Sequence, residues 1–282
     1  MNNEQLNLLI KNALQEDIGD GDHSTLSCIS KDAKGKAVLK IKQDGILAGV
    51  DVAEKIFRFM EPGIQFNRFK QDGENMQYGE TAFEVHAHVH SILQCERLVL
   101  NSMQRMSGIA TLTRKYVDAL SGYKTQLLDT RKTTPNFRLL EKEAVRIGGA
   151  MNHRFGLYDM MMLKDNHIDF CGGIEMAISK AYAYKQLYKP ALKIEVETRS
   201  LEDVEAVLRT GKADRIMLDN FSPVQIVEAL KLIDGKYETE ASGGINLDNI
   251  REYAATGVDF ISSGAIIHQA VSLDLSLKAF IV

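Results

Sequence analysis

The spacing of apolar residues along the chain predicts two kinds of architecture. At the N-terminus, Leu6, Leu9, Ile10 and Leu14 keep helical spacing and predict an amphipathic helix. Two later stretches, "KAVLKIKQDGILAG" and "TAFEVHAHVHSIL", alternate apolar and polar residues, as half-exposed antiparallel strands do. The next stretch, "SILQCERLVLNSMQRMSGIATLTRKYVDAL", has helical periodicity over more than one helix, with a break expected at Gly108. The first part of the chain is therefore expected to combine helices with an antiparallel sheet.

From about residue 124 the pattern changes to short apolar strands separated by helix-sized segments. The predicted strands are "TQLLDT", "YDMMMLKDN", "ALKIEVET", "ADRIMLDN", "KYETEAS" and "DFISSG". Amphipathic stretches such as "SLEDVEAVLRTGKA" and "SPVQIVEALKLIDG" lie between several of them. Repeated strand–helix alternation predicts βα units and a parallel sheet. The secondary structure of "EAVRIGGAMNHRFG", which also lies between strands, is left open.

Charged residues or glycines follow nearly every strand of this second part. Arg131 and Lys132 follow the first strand, Lys164 the second, and Asp219 ends the fourth. The last two strands lead into "SGGI" and "SSGAI". In a βα barrel the chemistry lies at the carboxyl ends of the strands, whereas a solvated surface would scatter such residues at both ends. The one-sided placement favours a functional site.

Composition and charge restrict the kind of protein. The chain has 282 residues, 45% apolar and 26% charged, which predicts a packed soluble core. Its formal net charge of −4 gives no overall attraction to nucleic acid or to anionic membranes. No apolar run approaches the roughly 18 residues of a spanning helix, and the N-terminus lacks the features of a signal peptide. Cys28, Cys95 and Cys171 are unclustered, which suits the cytoplasm and gives no zinc spacing.

Basic residues are concentrated between residues 131 and 164, where seven Lys/Arg accompany three Asp/Glu. For Arg138, Lys142 and Arg146 we expect a solvated helix face with acidic neighbours at 141 and 143 as partners. The other cations lie at strand ends or in a glycine-rich segment and could bind a phosphate or carboxylate together with threonine hydroxyls. These candidates are Arg131, Lys132, Arg154 and Lys164.

An acidic pair lies on the strand "KIEVET". Glu195 and Glu197 are two residues apart, so both side chains point to the same face. If that face is a barrel interior, the carboxylates need a cation or hydrogen-bond donors. Asp219 could complete a Mg²⁺ site, since Mg²⁺ favours one or two carboxylates plus substrate phosphates. The alternative is a structural ion pair between Glu195 and a basic neighbour.

The remaining motifs concern phosphate and histidine. In "ASGGI" and "SSGAI", small residues between a strand and a helix would let a phosphate approach backbone N–H groups. His86, His88 and His90 favour a solvated sheet face over a metal site, because no carboxylate or cysteine of clear ligand spacing accompanies them. His153 beside Arg154 is a better candidate, since a neutral imidazole can hydrogen-bond a polar substrate.

These residues, in this order, resemble the quinolinate phosphoribosyltransferase family, also called nicotinate-nucleotide pyrophosphorylase (carboxylating). The resemblance spans nearly the whole chain, and the block from Asp129 to His167 is its most specific part. Other matching stretches are "QEDIGDGDHST", "GILAG", "ERLVLNSMQRMSGIAT", "KIEVET", "MLDNF", "EASGGINLDNI" and "DFISSGAI". A molybdenum-operon paralogue of unproven activity shares the fold and is the nearest alternative.

The resemblance implies an α/β fold, an incomplete βα barrel (TIM-like) with an α/β sandwich N-terminal domain. We expect the sandwich in residues 1–114, joined by C-terminal residues 268–282, and the catalytic barrel in residues 115–267. The implied activity is that of a pentosyltransferase in NAD biosynthesis. It converts quinolinate and phosphoribosyl pyrophosphate to nicotinate mononucleotide, pyrophosphate and CO₂ with Mg²⁺. Members form homodimers, or hexamers of dimers, in which the neighbouring subunit completes each site.

Roles for individual residues also follow from the resemblance. Arg131, His153 and Arg154 would hold the two carboxylates of quinolinate. Arg97 would reach the same ligand from the neighbouring subunit across the dimer. All four match motifs that the family shares, "DTRKT", "NHR" and "ERLVLN".

Four further residues form the implied catalytic set. Lys132 and Lys164 would meet phosphoribosyl pyrophosphate, while Glu197 and Asp219 would bind the ribose hydroxyls and Mg²⁺. Ala265 departs from the family pattern, because other members often carry a larger residue there. The remaining substrate-binding residues, mostly around the 5′-phosphate, would be Thr130, Ser242, Gly243, Gly244, Ser263, Gly264 and Ala265.

Two other functions need to be weighed. A Schiff-base aldolase on a βα barrel would also place a lysine such as Lys164 at a strand end, but it would leave the arginines and the acidic pair without a role. A non-enzymatic binding protein descended from the transferase would not need the complete set of cations and carboxylates. No activated Ser or Cys nucleophile is evident in the sequence, and phosphoribosyl transfer does not need one.

Overall fold

The computed structural model describes residues 2–281, and the chain forms two compact units. Within those residues, the first unit comprises the chain up to Arg114, the segment Thr133–Gly149 and the chain from Ile266 onward. The second unit comprises Lys115–Lys132 and Ala150–Ala265. The division expected from the sequence kept residues 115–267 together, whereas here the segment Thr133–Gly149 belongs to the first unit.

The first unit contains a four-stranded antiparallel sheet in the order β12-β1-β5-β3. Strand β5 follows the predicted alternation until His88, after which Val89 and His90 begin a helix. Its buried face carries Phe83, whose ring stacks on Phe66 with centroids 4.6 Å apart. The strands are β1 (Lys34–Ile41), β3 (Gln65–Arg68), β5 (Thr81–His88) and β12 (Leu275–Ile281), with a separate pair β2 (Gly45–Ile46) and β4 (Asn75–Met76).

Five helices accompany this sheet. The first is the predicted amphipathic helix, which buries Leu6, Ile10 and Leu14. The side chain of Asn2 caps it by accepting the N–H groups of two first-turn residues. The helices are α1 (Asn3–Ile18), α2 (His23–Cys28), α3 (Val50–Met60), α4 (Val89–Ala119) and α5 (Arg138–Gly148).

The break expected at Gly108 is wrong, because α4 continues through it as one helix of 31 residues. A Cβ atom at residue 108 would lie 2.1 Å from the carbonyl oxygen of Val271. The glycine therefore allows the backbone near Val271 to approach the helix, and it does not end the helix.

The solvated face expected for α5 is also wrong in part. Glu141 and Lys142 are buried, with 0% and 1% of their surface exposed. Glu141 pairs with Arg105 of α4, which a sequence reading limited to local neighbours does not find. The exposed Arg146 keeps the expected local partner, Glu143.

The second unit is built on a six-stranded parallel sheet in the order β6-β11-β10-β9-β8-β7. All six strands fall within the predicted stretches. Strands β6 and β7 lie at opposite ends of the order, so the incomplete βα barrel is confirmed. The strands are β6 (Gln126–Leu128), β7 (Met161–Leu163), β8 (Ile194–Thr198), β9 (Arg215–Asp219), β10 (Glu238–Ser242) and β11 (Phe260–Ser262).

Helices follow most of these strands. Because the strands are parallel, all their carboxyl ends lie at one edge of the sheet. Of the described residues, no helix combines the length and apolar character needed to cross a membrane. The helices are α6 (Asp165–Cys171), α7 (Ile174–Tyr188), α8 (Leu201–Thr210), α9 (Pro223–Ile233) and α10 (Ile250–Ala254). A last helix, α11 (Ala265–His268), begins at the final residue of the second unit, and its other residues belong to the first.

Candidate active site

Hydrogen bonds at the end of β6 connect the loop that follows this strand to the segment before β7. The buried carboxylate of Asp129 accepts the backbone N–H of His153 at 2.8 Å. Its own N–H donates to the carbonyl of Met151 at 3.2 Å, and Met151 forms a parallel bridge with Leu128. The loop after β6 and the segment before β7 are thereby held side by side, which brings the "TRKT" and "NHR" motifs together.

Arg131 and Arg154 form the cationic part of the site. Burial of Arg154 and the nearby charge of Arg131 both lower the pKa of the Arg154 guanidinium. Nη1 of Arg154 donates to the carbonyl of Met160 at 3.3 Å, which fixes one side of its guanidinium. Two guanidinium groups close enough to disfavour each other's charge are stabilised by an anion, and their planar forks match carboxylates.

Lys164 and Glu197 meet at the carboxyl ends of β7 and β8. The Nζ atom of Lys164 lies 3.8 Å from Oε2 of Glu197. The other carboxylate oxygen of Glu197 faces the N–H of Asp165 at 3.4 Å. Lys164 precedes α6, so its side chain and the first N–H groups of that helix lie at the same edge.

Glu197 and Asp219 provide two carboxylates on neighbouring strands. Burial raises the pKa of Glu197, and the charge of Asp219 raises it further. Burial also raises the pKa of Asp219, while the charges of Lys164 and Lys132 oppose the rise. Charges within the implied catalytic set therefore act on both carboxylates, and the Lys164–Glu197 pair is in direct contact range at 3.8 Å. Two partly buried carboxylates with raised pKa values are suited to holding a divalent cation.

The "SGG" loop after β10 packs closely against the end of β9. Asn220 adopts a positive φ of 58°, and its N–H donates to the carbonyl of Ser242 at 2.8 Å. A Cβ atom at residue 243 would lie 2.2 Å from Oδ1 of Asn220, so only glycine fits there. At Gly244, with φ of 64°, no atom lies within 4 Å of an added Cβ, so this backbone is open to a ligand.

The loop after β11 is anchored to both of its neighbours. The N–H of Ser263 donates to the carbonyl of Leu128, at 3.1 Å, and its hydroxyl donates to the carbonyl of Ile245, at 3.0 Å. The Tyr116 side chain also hydrogen-bonds Ser263, a contact that sequence reasoning missed. Gly264 follows, and α11 begins at the buried Ala265.

His153 faces the barrel interior. Its Nε2 atom lies 2.9 Å from Oε2 of Glu195 and 3.2 Å from Oε2 of Glu240. Its Nδ1 atom accepts the N–H of Arg154 at 2.6 Å. Burial lowers the pKa of His153, but the two carboxylates outweigh it and raise the pKa to about 9. The Arg154 contact opposes this rise, because the cationic ring carries a proton on Nδ1.

Comparison with known proteins identifies the family. The family model described as "Quinolinate phosphoribosyl transferase, C-terminal domain" matches residues 109–278, and the corresponding N-terminal model matches residues 22–107. The chain belongs to the quinolinate phosphoribosyltransferase family. The resemblance stated from the motifs is therefore confirmed.

Named relatives align with almost the whole chain. "Nicotinate-nucleotide pyrophosphorylase [carboxylating], chloroplastic" from Oryza sativa subsp. japonica is 42% identical, and the alignment covers 97% of this chain and 77% of that protein. "Probable nicotinate-nucleotide pyrophosphorylase [carboxylating]" from Bacillus subtilis (strain 168) is 42% identical, and the alignment covers 98% of this chain and 94% of that protein. The crystal structure of NadC from Streptococcus pyogenes superposes with a TM-score of 0.92 at 40% identity, covering 100% of this chain and 99% of that chain.

Most of the residues implied by the family resemblance lie in the second unit. Loops and strand ends there carry the cations, carboxylates and glycine loops described above. Arg97 differs, since it lies on α4 in the first unit with an exposed side chain, and its predicted role toward a neighbouring subunit stays a prediction. Both ring nitrogens of His153 contact other protein groups in the structure. The family resemblance predicted instead that this side chain binds quinolinate.

Sequence reasoning also missed two residues beneath the site. Glu240 of β10 and Arg215 of β9 are buried and paired, with Nη1 of Arg215 3.1 Å from Oε2 of Glu240. The available signal was a charged residue at a central strand position, clearest in the otherwise apolar "RIML" of "ADRIMLDN" and weaker in the polar "KYETEAS". Such a residue requires a buried partner, but the sequence does not say which.

His86 and His88 of β5, and His90 at the start of α4, each contact a different protein group. His86 pairs with Glu84 at 2.7 Å, and His88 with Glu61 at 2.8 Å. Nε2 of His90 meets the carbonyl of Ile29 at 3.0 Å. Each ring therefore has its own protein partner, and the sheet-face interpretation applies to His86 and His88 but is wrong for His90, which lies in the first turn of α4.

Proposed function

We propose that this chain transfers the phosphoribosyl group of phosphoribosyl pyrophosphate to quinolinate, with decarboxylation to nicotinate mononucleotide, pyrophosphate and CO₂. The observation that carries the proposal is the gathering of cations, carboxylates and two glycine loops at one edge of a parallel sheet. The relatives in rice and B. subtilis carry the corresponding name. Their names and the complete residue set favour this activity over that of the molybdenum-operon paralogue.

Arg131 and Arg154 would bind quinolinate. This substrate has two carboxylates, and burial together with repulsion from the nearby charge of Arg131 lowers the pKa of Arg154. A dianion between them relieves that repulsion, because each fork can accept one carboxylate in a bidentate arrangement. Nicotinate has one carboxylate and would leave one fork without its partner.

Lys132 and Lys164 would bind the pyrophosphate, and the loops at Gly243, Gly244 and Ser263 the 5′-phosphate. The open backbone at Gly244 supports the second assignment, since N–H groups beside small residues can approach a phosphate. As pyrophosphate departs, positive charge develops at C1 of the ribose and the pyridine nitrogen attacks. The protein then contributes orientation and charge stabilisation, and no covalent nucleophile is required.

Glu197 and Asp219 would hold Mg²⁺. Each is a partly buried carboxylate with a raised pKa, and a bound cation would favour the ionised form of both. When bound, Mg²⁺ neutralises charge on the leaving pyrophosphate. Glu197 lies 3.8 Å from Lys164, and the charges of Lys164 and Lys132 act on Asp219, which supports one polyanionic ligand shared by the four side chains.

A Schiff-base mechanism has less support. The Lys164 side chain is 47% exposed and ion-paired with Glu197, whereas lysines that form Schiff bases are activated by desolvation or by a cationic neighbour. Borohydride trapping with a carbonyl substrate separates the two mechanisms, and we expect no trapped lysine.

The decisive experiment measures nicotinate mononucleotide formed from phosphoribosyl pyrophosphate with quinolinate or nicotinate as acceptor. We expect product with quinolinate and little with nicotinate, and we expect EDTA to abolish the activity and Mg²⁺ to restore it. Equal use of both acceptors would contradict the two-carboxylate site. Absence of product from folded, Mg²⁺-supplied protein would reject the proposed activity.

We also propose a homodimer, or a hexamer of dimers, in which Arg97 completes the neighbouring site. Its exposed position on α4 supports this role, because the guanidinium is accessible to another chain. Mixing Arg97→Ala and Arg131→Ala chains should restore activity through one intact shared site. No restoration despite proven subunit exchange would contradict the role.

We further propose a cytoplasmic location, which the three free cysteines support.

A further inference from the structure

The interior of the barrel contains a chain of charged side chains below the site. Barrel interiors are usually filled by branched aliphatic residues. Here Glu195 and Glu240 have no exposed side-chain surface, His153 has 4% and Arg215 has 9%. Strands β8, β9 and β10 therefore direct two carboxylates and a guanidinium into a region where unpaired charge is costly.

The contacts form a continuous path that begins at Arg215 and ends at the backbone of Arg154. Nη1 of Arg215 donates to Oε2 of Glu240 at 3.1 Å. The same oxygen lies 3.2 Å from Nε2 of His153, and Glu195 faces that nitrogen from the other side at 2.9 Å. Nδ1 of His153 then accepts the N–H of Arg154. The first links join side chains of different strands and of the segment before β7, and the last joins the His153 ring to the backbone of the next residue.

The path fixes the imidazole from both of its nitrogens. With carboxylates at Nε2 and an amide donor at Nδ1, the ring has one orientation that satisfies all partners. His153 also donates its backbone N–H to Asp129, so its main chain and its ring are both held. The backbone at Arg154 is therefore held in place by contacts with the side chains of the barrel interior.

His153, Glu195 and Glu240 also have the spacing of three metal ligands. Arg215 already supplies positive charge at this place, 3.1 Å from Glu240 and 4.0 Å from Glu195. Its guanidinium therefore offsets carboxylate charge here without a metal ion. The cluster is thus better explained as a support for its neighbours than as a metal centre.

We infer that Glu240 is a positioning residue for quinolinate: through His153 it fixes the backbone at Arg154 and so aims the Arg154 guanidinium at a substrate carboxylate. This inference rests on the proposed function. Under it, His153 acts on the substrate through Arg154 and not by direct contact. Glu240 contributes to the acceptor half of the site and not to the phosphoribosyl pyrophosphate half.

The test compares Glu240→Ala and Glu240→Gln with Glu238→Gln. Glu238 is a matched control, because it lies on the same strand and pairs with the same Arg215, at 3.0 Å, but its side chain is 39% exposed, whereas that of Glu240 is fully buried against His153. We expect Glu240→Ala to raise KM for quinolinate by about 10- to 100-fold, the range typical of groups that orient a functional histidine in metal sites. KM for phosphoribosyl pyrophosphate should stay unchanged, Glu240→Gln should recover part of the loss, and Glu238→Gln should resemble the wild type.

A quinolinate KM that stays at the wild-type value in Glu240→Ala would overturn the inference. So would equal increases of both KM values, which indicate general loosening of the barrel. If Glu240→Ala does not fold, Glu240→Gln decides, and a quinolinate KM no higher than that of Glu238→Gln rejects the inference. A wild-type chain that forms no nicotinate mononucleotide would instead reject the proposed function, so the two failures remain distinct.

Discussion

Replacing Glu141 by glutamine removes one charge from a buried ion pair while keeping the shape of the side chain. Oε1 of Glu141 accepts hydrogen bonds from Nε and Nη2 of Arg105, at 3.0 and 2.9 Å. Oε2 of Glu141 accepts a hydrogen bond from the N–H of Thr134 at 2.8 Å, and the Thr134 hydroxyl donates to Oε1 at 2.9 Å. The same guanidinium also donates to the carbonyls of Ile267 and Ala270. One carboxylate thus joins α4, α5 and the segment before α5 within the first unit.

The loss of stability expected for Glu141→Gln follows from the burial of this ion pair. Glu141 has no exposed surface, and 22% of the Arg105 side chain is exposed, so little water can replace the lost charge. Removing one partner of a buried pair typically costs about 3–5 kcal/mol. Glutamine retains an acceptor oxygen, so we expect the lower end, about 3 kcal/mol. At about 2–4 °C per kcal/mol for a unit of this size, the midpoint of thermal unfolding should fall by about 6–12 °C.

The assay is differential scanning calorimetry of Glu141→Gln beside Glu143→Gln. Glu143 lies on the same helix and pairs with Arg146, whose side chain is 65% exposed. An exposed pair of this kind contributes at most about 1 kcal/mol, so the control should unfold within a few degrees of the wild type. Equal shifts in the two variants would refute the argument that burial of Glu141 decides its contribution.

The remaining predictions concern the second unit and the cysteines. Gly243→Ala should raise KM for phosphoribosyl pyrophosphate and leave the fold intact by circular dichroism, because an added Cβ would displace Asn220; an unchanged KM would contradict this. The free energy of unfolding in urea should fall as pH rises from 6.5 to 9, since His153 binds its proton more tightly when folded; His153→Asn should lack this slope. Exposed Cys28 should react quickly with a thiol reagent at pH 8, while buried Cys95, with its pKa raised to about 12, should react only after unfolding.

Sequence periodicity could predict the strands of the second unit because each strand is short, most are largely apolar, and a polar or glycine-rich turn follows. The same local logic failed at Gly108, where the reason for glycine is the carbonyl of Val271, more than 160 residues later in the chain. It failed again at Glu141, because the partner Arg105 lies on another helix. Periodicity detects which face of an element is buried, but it does not identify what that face meets.

Glu195 and Glu197 show how far the reasoning from sequence can reach within one strand. Their spacing correctly placed both on one face of β8, and two interpretations followed, a structural ion pair and a metal or substrate ligand. Two residues along a strand correspond to about 6.6 Å, which here separates the barrel interior from its mouth. Glu195, at the deeper level, pairs with His153 and has no contact with solvent, whereas Glu197 lies near Lys164. The first interpretation therefore applies to Glu195, and the second is available to Glu197 because only that level can be reached by a substrate.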